Sequence, residues 1–325
     1  MRVGLLGCGG IGTRHAGAVA ALRDTMTLVA CCGRDPARTA AFAAQHGGAP
    51  YTDLDLMLTR ERLDLLIVTV PPYARGGEVE RAARAGVHVL VEKPIALDAA
   101  AADSMVAAVA ETGVTAAIGF MYRFGDAICA WRAADTGRVG LYAGTYHCNA
   151  LHAPWWREAA KSGGQIVEQV IHQIDLIRVL MGEPDTVYAR AANLFHGQTP
   201  RYDVEDVSAI VFGWDDGRLA TLNASNIAVP GVWHKDWAVY GERLTGRFTG
   251  WNDAVLTTVP GAVATIVAGA TDPFVAQLAD VASAIRDGRA PHVPLAEGAR
   301  TLRLALAARA SADRRQEVRL DALRP

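Results

Sequence analysis

Three groups of residues in this chain have types and spacings that can do chemistry. The first is Gly7-Cys8-Gly9-Gly10-Ile11-Gly12, a G-x-G-x-x-G loop lying between an apolar run and a helical pattern. In that context Gly7 permits a tight turn and Gly9 lets the backbone approach a pyrophosphate. Gly12 lets helix and strand pack closely, and Gly10 and Ile11 open a helix whose N-terminal N–H groups favour an anion. The second is Glu92-Lys93-Pro94, at the end of the apolar run 87–91. Ligands of open parallel sheets bind beyond the carboxyl ends of the strands, which places Lys93 at a crevice, with Pro94 fixing the turn after it. Lys93 is one of only three lysines, against 29 arginines. The two types are not interchangeable, because an ammonium is compact and shifts its pKa on burial.

The third group lies on a helical stretch over 164–181. At 100° per residue, Gln165, Glu168, His172 and Asp175 fall within about 80° of one another, with Ile166, Val167, Val170, Ile174 and Ile177 opposite. Solvated helices in this chain use Arg freely, yet this stripe has none before Arg178. An imidazole titrating near neutrality suits removal of a hydroxyl proton, and a neighbouring carboxylate can orient it and stabilise its charged form. His172 and Glu168 are the candidates for those roles. Asp175 reads equally as an orienting group, a structural one or a catalyst. Lys93 would stabilise developing alkoxide charge.

Which dinucleotide the loop serves depends on the tip of the second strand. An NAD-specific site places Asp or Glu about 20 residues beyond the loop, on the ribose 2′-hydroxyl. Here the tip reads Cys31-Cys32-Gly33-Arg34-Asp35-Pro36, so the acidic position falls on Gly33 with Arg34 beside it. A guanidinium there pairs with a 2′-phosphate, and NADP(H) is expected over NAD(H). Asp35 keeps NAD(H) as the alternative, and Arg38, one helical turn on from Arg34, is a secondary contact.

The elements that must position these residues follow from periodicity. Strand-like runs at 2–6, 28–32, 63–70, 87–91 and 114–119 alternate with Ala-rich helical stretches, the pattern of a doubly wound parallel sheet covered on both faces. Beyond residue 123 the texture changes. A long helix is followed by strands separated by turns such as Asp216-Gly217 and Pro260-Gly261, as in an antiparallel meander, and two helices close the chain. The expected fold is α/β: a dinucleotide-binding Rossmann domain over 1–120 and a substrate-binding α+β domain over 121–325.

Composition bounds the rest. The 325 residues are 51% apolar and 20% charged, with net charge −2, so a sizeable core is expected and a general nucleic-acid binder is not. No apolar run is long enough to suggest a membrane span, and residues 1–7 lack the layout of a secretory leader, so a cytoplasmic protein is expected. Five cysteines without C-x-x-C spacing argue against a disulfide framework or structural zinc, and no metal site is expected.

Taken together, several motifs resemble the glucose-fructose oxidoreductase / inositol dehydrogenase / rhizopine-catabolism (Gfo/Idh/MocA) family. They are the glycine loop, Thr69-Val70-Pro71, the run from Gly86 to Glu92-Lys93-Pro94, Tyr122-Arg123-Phe124, Trp156-Arg157, and the run from Gly163 through Glu168 and His172 to Asp175. The resemblance implies a Rossmann domain plus an α/β domain whose large open sheet mediates a homodimer or homotetramer. It implies reversible oxidation of a secondary alcohol on a sugar or cyclitol, with Lys93, Glu168 and His172 as the catalytic group. It also places Thr69, Val70, Pro71 and Glu92 on the cofactor side. Glu168 stands where the family usually has Asp, and Arg75 stands where the family's loop often has His. Substrate-side candidates are Tyr122, Arg123, His152, Trp155, Trp156, Arg157 and Asp175, since aromatic faces stack on sugar rings and Arg bonds hydroxyls. Trp233-His234-Lys235 reads as a further cluster at a strand edge. Two other readings stand beside the dehydrogenase: a redox-assisted glycoside-cleaving or lyase enzyme, and a non-catalytic dinucleotide-sensing regulator.

Overall fold

A computed structural model of the chain describes residues 1–149 and 153–320. In chain order the first elements are β1 (Arg2–Leu6), α1 (Gly10–Ala21), β2 (Thr27–Cys32), α2 (Pro36–His46), β3 (Ala49–Tyr51), α3 (Leu54–Arg60), β4 (Leu65–Val68), α4 (Glu78–Arg84), β5 (His88–Val91), α5 (Ala99–Thr112) and β6 (Ala116–Ile118). There follow α6 (Asp126–Ala133), β7 (Val139–His147), α7 (Ala159–Ser162), α8 (Ile171–Met181), β8 (Thr186–Ala192), β9 (Val207–Gly213) and β10 (Leu219–Ser225). The last are β11 (Trp237–Gly241), β12 (Leu244–Phe248), β13 (Asp253–Thr258), β14 (Ala264–Ala268), α9 (Pro273–Asp287), α10 (Leu295–Arg314) and β15 (Val318–Arg319).

The chain divides into two compact units, Met1–Met121 with Asp272–Ala299, and Tyr122–Thr271 with Arg300–Pro325. The expected boundary at residue 120 falls at Met121. The segment Asp272–Ala299, expected in the second domain, groups with the first. The reason is packing: Phe274, Leu278 and Val281 of α9 share a core with Ala16 and Val19 of α1 and Leu5 of β1.

In the first unit the described strands form a six-stranded sheet in the order β3-β2-β1-β4-β5-β6, with every pairing parallel. This is the doubly wound order, in which the chain reverses direction across the sheet between β1 and β4. Residues 65–68 are Leu, Leu, Ile and Val and all are buried, as a strand covered on both faces requires. β3 lacks a sequence signal because it is three residues long and contains Pro50. The expected strand over 63–70 stops at Val68, because Thr69 turns its hydroxyl onto the carbonyls of Leu6 (3.0 Å) and Gly7 (2.8 Å).

In the second unit the described strands form a nine-stranded sheet, β14-β13-β12-β11-β7-β10-β9-β8-β15, antiparallel except where β10 meets β7. Along β7 the burial alternates: Tyr142, Gly144 and Tyr146 point to one face, Leu141 and Ala143 to the other. The buried face carries α8. Gly144 permits the close approach, since a Cβ there would collide with the side-chain oxygen of Gln173. The amide of Gln173 donates to the Thr145 carbonyl at 2.6 Å and ties helix to strand.

Candidate active site

The first unit supplies a cradle for a dinucleotide. Gly7 has φ +111°, a left-handed value that glycine adopts without strain, and a Cβ on it would lie 2.9 Å from the Val70 nitrogen. A Cβ on Gly12 would strike the Gly7 carbonyl oxygen. Gly9 and Gly10 differ: nothing lies within 4 Å of a Cβ built on either, so the outer side of the loop is open. Gly9 is also the N-cap of α1, whose first turn contains no acidic residue. Open backbone, a helix N-terminus and no opposing carboxylate fit a pyrophosphate.

At the tip of β2, Gly33 follows the strand, and both Arg34 and Arg38 are exposed. The carboxylate of Asp35 accepts from the amides of Ala37 (2.9 Å) and Arg38 (3.1 Å), capping α2. This acidic side chain is therefore engaged by its own helix. Cys8, inside the glycine loop, has its thiol pKa lowered to about 7 by hydrogen bonds from Cys31 and Thr39 and by the charge of Arg38, against the opposing effect of burial.

Beyond β5, Glu92 does not point outward as a cofactor contact. Its carboxylate is buried, meets the imidazole of His15 at 2.8 Å and accepts from the Lys93 amide at 3.1 Å. Burial alone would raise its pKa. The His15 hydrogen bond and charge, with Lys93 and Arg75, outweigh burial and hold it below its ordinary value. Arg75 has a comparable structural duty. Its guanidinium donates to the carbonyls of Glu92 (2.6 Å), Ile95 (2.7 Å), Val70 (3.3 Å) and Pro94, stapling the loop around the cis Lys93–Pro94 bond. Lys93 is half-buried at the C-terminal end of β5, and Val70 and Pro71 follow β4.

The second unit gathers the remaining candidates around α8. The residues expected to form one α-helix instead begin as a π-helical turn, Ile166–Val170, that passes into α8. The wider turn displaces Glu168 from the position a uniform 100° step assigns it. Burial differs as well: the apolar residues and the polar stripe are both inside, with Glu168 and His172 each 5% exposed. Glu205 accepts from the Ile166 amide at 2.8 Å, so a half-buried carboxylate holds the start of this turn.

The His172 imidazole lies flat against the ring of Tyr122, with centroids 4.5 Å apart and planes 6° from parallel. Tyr122 is backed by Trp251 at 4.8 Å and by Trp237 at 6.2 Å, and Trp237 stacks on Phe248 at 5.2 Å. The neighbouring Tyr146 phenol acts on the Tyr122 hydroxyl in the sense opposite to burial. Buried in this wall, the Tyr122 phenol has its pKa pushed up and stays neutral. Tyr122 therefore orients the imidazole through its face, a role sequence reasoning missed in expecting a sugar contact.

Two other expected substrate contacts are engaged elsewhere. Arg123 grips Asp175 in a bidentate, buried pair with bonds of 2.8 and 2.6 Å, and the Thr301 hydroxyl adds a third bond at 3.0 Å. This makes both residues structural supports under α8. The thiol of Cys148 donates toward Gln169 (3.1 Å) and Asn226 (3.2 Å), and burial pushes its pKa up to about 12. Trp156 and Arg157 sit half-buried on the short turn Pro154–Arg157, where Trp156 meets Trp233 edge-on at 6.3 Å. His152 lies outside the described residues.

A family model described as an oxidoreductase family with an NAD-binding Rossmann fold matches residues 1–120, and one for the GFO/IDH/MocA C-terminal domain matches residues 130–246. The chain belongs to the Gfo/Idh/MocA oxidoreductases. Among the relatives of this Gfo/Idh/MocA enzyme is the inositol 2-dehydrogenase of Rhizobium meliloti, 32% identical over 71% of this chain and 70% of that protein. The 2,7-anhydro-N-acetylneuraminate hydratase of Mediterraneibacter gnavus is 30% identical over 58% of this chain and 52% of its own length.

Among solved structures, a levoglucosan dehydrogenase in complex with NADH and levoglucosan superposes with a TM-score of 0.90 at 19% identity, covering 99% of both chains. The WlbA dehydrogenase of Bordetella pertussis, in complex with NADH and UDP-GlcNAcA, gives 0.85 at 25% identity over 98% of both. No helix among the described residues of the Gfo/Idh/MocA chain is long and apolar enough to cross a membrane, and no described cluster of His, Cys, Asp or Glu could hold a metal.

Proposed function

We propose that this oxidoreductase moves hydride between NADP(H) and a secondary alcohol or ketone on a sugar- or cyclitol-like substrate. The observation that carries the reading is the buried His172 imidazole, clamped face-on by Tyr122, in a chain that begins with a dinucleotide loop. An imidazole nitrogen of His172 takes the hydroxyl proton in oxidation and returns it in reduction. Glu168 stabilises the imidazolium, and Lys93 is the group that the family motifs assign to alkoxide charge. When bound, the nicotinamide supplies the hydride acceptor or donor.

NADP(H) is preferred because the tip of β2 presents Gly33 and exposed Arg34, while Asp35 is tied up as a helix cap. NAD(H) is the alternative, and both neighbours described above are complexes with NADH. The test is a panel of sugars, cyclitols and their keto forms, assayed with each cofactor by the absorbance of reduced nicotinamide. Arg34→Ala should weaken NADP(H) at least about tenfold while NAD(H) changes little, the loss expected for a charge-assisted phosphate contact. Equal weakening of both removes the 2′-phosphate argument.

The relationship to a hydratase favours one second reading, in which the substrate is oxidised, loses or gains a substituent, and is reduced again. Product forming while reduced nicotinamide stays constant identifies it. A dinucleotide-sensing regulator has no need of an imidazole clamped against a tyrosine ring. We also propose that the exposed face of the nine-stranded sheet joins copies of the chain.

A further inference from the structure

The helix that opens at the dinucleotide loop also reaches the Lys93 turn. His15 lies in the second turn of α1 and is fully buried, and its Nε2 meets Oε1 of Glu92 at 2.8 Å. The other carboxylate oxygen, Oε2, accepts from the Lys93 amide at 3.1 Å. One carboxylate therefore ties the helix whose N-terminus fits a pyrophosphate to the Glu-Lys-Pro turn that ends β5. All three residues belong to the same compact unit.

The surroundings are shaped for this link. Gly119, just past β6, leaves room for the carboxylate, since a Cβ there would lie 2.9 Å from Oε2 of Glu92. Phe274 of α9 meets the His15 ring edge-on at 5.3 Å and sets its plane. An ionised carboxylate can only accept, so Nε2 of His15 carries the proton and donates. The other ring nitrogen, Nδ1, is buried without a partner among the described residues, so the bond to Glu92 is the one polar duty of this ring. A side chain kept only to fill space beside Phe274 needs no N–H aimed at a carboxylate. A buried carboxylate deprived of a donor turns away or takes up a proton, and either event weakens its hold on the Lys93 amide.

We propose that His15 is a positioning residue: by holding Glu92 it fixes the Lys93 turn to the helix that receives the dinucleotide, and it acts on turnover through Lys93. This rests on the reading of Lys93 as the group that meets alkoxide charge, and the experiment separates the two claims. His15→Gln keeps an amide N–H at the reach of Nε2, whereas His15→Leu fills the space without one. In the dinucleotide-free protein, acetic anhydride labels the three lysines, and mass spectrometry compares them. In His15→Leu, Lys93 should be labelled at least about threefold faster relative to Lys161 and Lys235, the change expected from losing one hydrogen bond. His15→Gln should keep the wild-type ratio.

Turnover is then measured with the fastest member of the sugar and cyclitol panel. His15→Leu should lower kcat about 10–100-fold, the cost of displacing a reacting group by about 1 Å, while KM and NADP(H) affinity move less than about threefold. His15→Gln should keep most of kcat, and in a Lys93→Met background His15→Leu should cost no further kcat. Unchanged Lys93 labelling overturns the proposal. So does equal acceleration at all three lysines, which marks a loosened fold, a Gln variant no better than Leu, or a loss that multiplies in the double variant. Should His15→Leu fail to fold, His15→Asn, whose amide stops one carbon short, takes its place. Where no panel member turns over, labelling decides alone. Selective labelling together with full turnover in Lys93→Met leaves His15 as the anchor of the turn and refutes the role given to Lys93.

Discussion

Single side chains here divide into those aimed at substrate and those holding them in place. His172→Ala should leave cofactor affinity nearly intact and lower turnover about 10²–10⁴-fold, the usual contribution of a general base. Stopped-flow turnover with fluorescence binding of the dinucleotide checks both halves, and unchanged turnover removes the base assignment. Tyr122 acts through its ring, so Tyr122→Phe should retain most activity, whereas Tyr122→Ala should lose kcat more than KM. Glu92 belongs to the supporting class. Its folded pKa lies below the ordinary 4.5, so the stability it contributes is present above that value and lost as pH falls through the folded pKa. The Tm gap between wild type and Glu92→Gln should therefore be largest near neutrality and shrink below about pH 4.5. A gap that widens in acid would falsify the inward orientation of this carboxylate.

At the scale of elements, the glycine loop separates two effects that a motif merges. Gly12→Ala should cost stability, by about 1–3 kcal/mol as overpacking does, because the added Cβ meets the Gly7 carbonyl. Gly9→Ala should leave Tm unchanged, since its Cβ enters open space, yet weaken dinucleotide binding by occupying the side a pyrophosphate would take. Thermal unfolding and cofactor titration on the same two variants distinguish these outcomes. The loop, β1, β4 and β5 were legible in sequence because each is a local pattern: continuous apolar strands ending at glycine, at Thr-Val-Pro or at Glu-Lys-Pro. What was illegible is non-local. That Arg123 pairs with Asp175 across 52 positions, that Arg75 staples the Lys93–Pro94 loop, and that α9 packs on α1 depend on chain paths that no periodicity encodes. The π-turn over Glu168 is a fourth case, since a uniform step along the helix cannot register one wider turn.

For the whole molecule, the nine-stranded sheet presents one covered and one open face, and register places apolar side chains together on the open one. Leu219 pairs with Leu141, which pairs with Tyr240; Tyr188 pairs with Val211; Val255 pairs with Ile266. All of these are more than a third exposed, Ile266 most at 77%. Paired exposed apolar side chains such as these on a sheet face are a feature of association surfaces. A second copy of the same chain is the occupant that requires no other gene product, and closed symmetric dimers are the commonest assembly. Light scattering should give a dimer or tetramer for the wild type. The double variant Leu219→Glu, Tyr240→Glu places two carboxylates on the open face, one on each of the strands that flank β7. It should scatter as a monomer while its far-ultraviolet circular dichroism stays unchanged, because neither side chain supports the buried face that carries α8. A monomeric wild type, or a double variant that stays assembled, would remove the sheet face from this role and leave the catalytic reading intact.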